Sequence, residues 1–73
     1  MTTAEKLREM GLSISEIARY AEVTTEAVRL WLREQREPTR AFHRRALKRL
    51  LAKVQREQEL EAELTASLRK NDP

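Results

Sequence analysis

A chain of 73 residues with no cysteine, one glycine and two prolines has room for one small domain, and it excludes a disulfide framework and thiolate metal sites. Its apolar runs fall short of the roughly 20 residues that span a bilayer, and its first residues lack the apolar stretch of a secretory leader, which points to the cytoplasm. The net charge of +3 conceals an uneven distribution: residues 29–56 carry ten basic and two acidic side chains, whereas the segments on either side are net acidic.

Leucine, alanine, glutamate and arginine dominate the sequence, a composition that favours helix throughout and an all-α fold. Thr2 can cap a first helix, with Glu5 three positions later completing a capping box. Leu7 and Met10 supply its apolar side, and Gly11 suits the left-handed position that ends it. Ser13 repeats the pattern with Glu16 and opens a second helix whose apolar stripe is Ile14, Ile17, Ala18 and Ala21. Thr24 caps a third helix, spanning about 24–35. Its inward face is Ala27, Val28 and Trp31, and its outward face is Thr25, Glu26, Arg29 and Arg33.

Pro38 stops that helix and biases Glu37 towards an extended conformation. Thr39 is expected to cap a fourth helix. From Arg40 to Lys70 there is neither proline nor glycine, and Phe42, Ala46, Leu47, Leu50, Leu51 and Val54 form a broad apolar face. The segment is expected to be one helix of about 30 residues; a bend near Gln55–Gln58 with a fold-back is the alternative. Leu60, Leu64 and Leu68 continue its apolar side, interrupted by Glu57 and Glu61. Their spacing of four is not a heptad, so they suggest a local subunit contact rather than a long regular coiled coil. The expected organisation is a helix-turn-helix domain over residues 1–54, an oligomerisation segment over 55–70, and a frayed tail at 71–73.

Residues 17–31 carry the functional signal. A small residue midway along one helix, Ala18, allows close crossing by the next. Val23 follows the corner, Thr24 caps the second helix, and Val28 and Trp31 anchor it. With Ile17, Arg36 and Pro38, this pattern resembles the lambda-repressor-like (Cro/XRE) family of helix-turn-helix DNA-binding domains, over roughly residues 3–54. The family's usual corner glycine is replaced by Glu22, and its glycine after the tryptophan by Glu34. A non-glycine residue in the left-handed conformation costs about 1 kcal/mol. The corner is therefore expected to open slightly and the third helix to run on. Ile14 stands where the family often has glutamine.

The resemblance implies a sequence-specific double-stranded-DNA-binding protein, a small bacterial or phage transcriptional regulator that reads the major groove with helix 24–35. Thr25, Glu26 and Arg29 would face base edges. Ser15, Thr24, Arg33, Arg36, Arg40 and Arg44 would face the DNA backbone. Leu60, Leu64 and Leu68 would pair copies of the chain into a homodimer or a higher homo-oligomer; a dimer would set two reading helices one DNA turn apart, roughly 34 Å. Two other readings fit the same residues: a DNA-recognition subunit of a phage packaging or recombination machine, and an adaptor that binds the transcription machinery. Within the chain, Arg29 could instead pair with Glu26, and Arg33 with Glu37, as surface ion pairs. Trp31 reads as core, Tyr20 as a half-buried side chain or a phosphate donor, and His43 stands alone among arginines. The sequence offers no catalytic constellation, cofactor motif or metal-ligand cluster, so neither an enzyme nor a small-molecule substrate is expected.

Overall fold

The computed structural model describes residues 1–70, and the tail assigned to residues 71–73 lies outside it. Four α-helices succeed one another in chain order: α1 Thr3–Glu9, α2 Ile14–Ala21, α3 Thr25–Glu34 and α4 Ala41–Lys70, with no strand among the described residues. The fold is all-α.

Local chemistry sets the helix starts. Thr2 accepts from the Glu5 amide while the Glu5 carboxylate accepts from the Thr2 amide, and Ser13 and Glu16 repeat the exchange. Each box satisfies two of the donors that a helix start leaves unpaired. Thr24 caps α3 by accepting from Ala27, without a carboxylate partner.

The helix ends obey one geometry. After α1, Gly11 takes a φ of 100°, its amide bonds to the Arg8 carbonyl, and the Leu12 amide reaches back to Leu7. Glu22 ends α2 at a φ of 58°, with the Val23 amide donating to Ala18 over 3.0 Å. Gln35 ends α3 at a φ of 52°, with the Arg36 amide donating to Trp31. All three are left-handed terminations that satisfy the last carbonyls. The corner after α2 is therefore closed, not opened, and α3 does not run on. The left-handed residue after α3 is Gln35 rather than Glu34. The backbone bonds at each corner outweigh the strain of a β-carbon in that region.

The start of α4 also departs from expectation. Thr39 is not its cap. The first helical bond runs from the Arg44 amide to the Arg40 carbonyl, over 3.1 Å. The Arg44 side chain folds back to donate to the carbonyls of Pro38 and Thr39, at 3.1 and 2.5 Å. A second tie fixes this loop: the Glu37 carboxylate accepts from the Thr3 amide over 2.9 Å.

Leu7, Ile17, Val28 and Leu47, one from each helix, are completely buried. Each contributes about 1.5–3 kcal/mol relative to an exposed side chain. Ala18 and Ala21 let α2 approach closely, and Trp31 and Leu50 close the core, with Val23 and Val54 packed at its margin. Phe42, counted on the apolar face of α4, is 59% exposed, while its neighbour His43 turns inwards to lie 5.9 Å from the Trp31 ring. No buried side-chain nitrogen or oxygen among the described residues lacks a hydrogen-bond partner.

α4 is continuous. Its last bond to the body is from Gln58 Nε2 to the Met10 carbonyl, over 3.3 Å. Beyond it the helix projects, giving an extent of 52 × 20 × 20 Å and a radius of gyration of 15.1 Å. A compact chain of this length would have a radius of about 11 Å. Leu60, Leu64 and Leu68 stand on this projection, 53–68% exposed.

Candidate nucleic-acid interface

The capping of α2 and α3 and the tight corner at Glu22 hold α3 with Val28 and Trp31 inwards, which leaves its opposite side bare. Glu26 and Arg29 come together there, with the half-buried Thr25 beside them. Arg29 Nη1 donates to Glu26 Oε1 at 2.7 Å and to Thr25 Oγ1 at 3.4 Å. The Arg29 and Glu26 side chains remain 54% and 81% exposed. An exposed ion pair of this kind contributes about 0.2–1 kcal/mol. So weak a pairing leaves Arg29 free to take another partner.

Arg33 extends the same face one turn on and is exposed. It does not meet Glu37, whose carboxylate is committed to the Thr3 amide. Arg36 is exposed and paired with Glu34 at 2.5 Å. Arg40 is exposed beside the start of α4, and Ser15 is exposed in the first turn of α2. Thr24 is exposed but has its side-chain oxygen engaged by the Ala27 amide. Arg44 is different: half-buried and bonded to the Pro38 and Thr39 carbonyls, it braces the loop before α4.

The first turn of α4 holds no acidic residue but is flanked by Arg40 and Arg44. Cations at the positive end of a helix dipole are unfavourable in isolation and become favourable when an anion settles among them.

Two features lie outside the site expected from the sequence. Leu30 is half-buried and outside the core cluster. One residue on from Arg29 and four from Glu26, it lies at the edge of the exposed face, as its 100° step predicts. Arg45 and Arg49 line an open groove with Tyr20, Glu22, Phe42 and Ala46. Tyr20 is 41% exposed, and Lys53 Nζ lies 5.9 Å from its ring centroid.

Among the described residues no cluster of His, Asp and Glu could hold a metal ion, and no helix is long and apolar enough to cross a membrane. No family model, curated protein or solved structure matches this chain.

Proposed function

We propose that the chain is a sequence-specific double-stranded-DNA-binding protein, a small transcriptional regulator that places α3 in the major groove. The observation that carries this reading is the exposed polar strip of α3 beside a tight helix–helix corner: Arg29 is bonded to Glu26 and to the half-buried Thr25, and Arg33 stands exposed one turn on. Arg29 reads a guanine edge, Glu26 accepts from cytosine or orients Arg29, and Leu30 meets a thymine methyl at the margin of the strip. Ser15, Thr24, Arg33, Arg36 and Arg40 contact phosphates, and Arg44 serves the fold. The exposed leucines of distal α4 join two copies into a homodimer, which presents two reading helices to a symmetric site.

Selection of duplex oligonucleotides from a random pool, followed by anisotropy titration at several salt concentrations, tests this. The expected result is one enriched motif, with affinity that falls steeply with salt as arginines displace counterions. A pool that stays random, with no retention of DNA at low salt, would overturn the reading. It would favour the adaptor alternative, in which the same basic surface meets an acidic protein.

A further inference from the structure

We propose that α4 pairs antiparallel with α4 of a second copy, so that the acidic, leucine-bearing distal half of one helix lies in the basic groove beside Phe42 on the other. This rests on the reading of distal α4 as a self-association segment and specifies its direction and contacts.

Eighteen residues make five turns at about 3.6 residues per turn, so positions separated by 18 lie on one line along α4. Phe42 and Leu60 share such a line, as do Ala46 and Leu64, and Arg45 and Glu63. The proximal and distal halves thus present the same apolar pair flanked on the same side by charges of opposite sign. Around them the proximal half carries Arg45, Arg49, Lys53 and Arg56, and the distal half carries Glu57, Glu59, Glu61 and Glu63. The large apolar side chains of both halves are uncovered, Phe42 at 59% exposed, Leu60 at 53% and Leu64 at 63%, while Ala46 is half-buried against the core.

The helix is continuous, so a chain's own distal half cannot reach its own groove. A second copy can. A two-fold axis crossing α4 near Lys53 sets Phe42 level with Leu64, Ala46 level with Leu60, and Arg45 beside Glu63 on the same flank. A parallel pair would set glutamates against glutamates and arginines against arginines, which is unfavourable. Lys53, the residue nearest the axis, is drawn aside over the Tyr20 ring.

The test uses the full chain without DNA. Because there is no native cysteine, Phe42→Cys and isotopically labelled Leu64→Cys chains can be mixed and mildly oxidised. Mass spectrometry should find the mixed disulfide in excess, and sedimentation equilibrium of the unmodified protein should give a dimer. Arg45→Glu should weaken that dimer about tenfold, as should Glu63→Arg, and the two changes together should restore it. Both positions are exposed, and circular dichroism checks that each variant folds. A monomer at high concentration overturns the dimer reading together with this arrangement. A dimer that crosslinks mainly Leu64→Cys to itself overturns only the antiparallel arrangement. Single charge reversals that weaken the dimer without mutual rescue also overturn it. None of these outcomes depends on whether the protein binds DNA.

Discussion

Glycine at either of the two strained helix ends should stabilise the fold. Glu22 and Gln35 sit at φ values of 58° and 52°, where an L-residue pays about 1–2 kcal/mol for its β-carbon. Glycine removes that strain but returns about 0.5–1 kcal/mol through the greater freedom of the unfolded chain. Paired end for end, these ranges leave a net gain of about 0.5–1 kcal/mol per site, within outer bounds of about 0–1.5. At about 2.1 cal/mol/K per residue, this chain unfolds with an entropy near 0.15 kcal/mol/K, so each substitution should raise the melting temperature by about 3–7 °C. The two sites end different helices, so their effects should add. Thermal melts of Glu22→Gly, Gln35→Gly and the double variant, followed by far-ultraviolet circular dichroism at one fixed concentration, measure this. Glu22→Ala is the control, because it removes the carboxylate and keeps the β-carbon, and it should give no comparable rise. A lower midpoint for Glu22→Gly, or an equal rise for Glu22→Ala, would refute the strain argument.

Other expectations concern the core and the proposed interface. Leu47→Ala should cost about 2–5 kcal/mol in chemical denaturation, since Leu47 is fully buried beside Leu7, Ile17 and Val28. Arg44→Ala should lower stability by about 1 kcal/mol or more, because it leaves the Pro38 and Thr39 carbonyls without their donor; under the proposed function, DNA affinity per folded molecule should change little. Arg29→Ala should relax sequence preference by about 1–3 kcal/mol in competition titrations with single-base variants of the selected site. Arg33→Ala should weaken binding to all sequences alike and reduce the salt slope by about one.

Much of this architecture is legible in the sequence because short-range chemistry decides it. The boxes Thr2–Glu5 and Ser13–Glu16, the Thr24 cap and the Gly11 turn each depend on residues within a few positions of one another. The core faces of α2 and α3 come from helical spacing. The departures arise where distant groups compete. Thr39 has the chemistry of a cap, but α4 starts at Ala41 with its first bond to the Arg40 carbonyl, which leaves Thr39 one residue too early to cap it. Arg33 is within sequence reach of Glu37, but the Thr3 amide, 34 residues away in sequence, claims the carboxylate. Phe42 belongs to the apolar side of α4 by count, yet its neighbour His43 occupies the place against Trp31. Glu22 and Gln35 show that two satisfied carbonyls can hold a strained corner that composition alone disfavours. On the exposed face of α3, the clustering of Thr25, Glu26 and Arg29 is readable from the helical wheel, whereas the inward turn of Arg44 depends on loop geometry.

The contact between Gln58 and Met10 marks where α4 parts from the body, and Glu59–Lys70 lie beyond it. A dozen residues of helix is near the length at which peptides in water begin to melt on their own, at about 12–15 residues. The tip of the rod therefore owes its order to the neighbouring turns below and to whatever company it keeps. If two copies pair as proposed, dilution should loosen its final turns first, so that amide exchange there becomes a gauge of crowding at the molecule's far end.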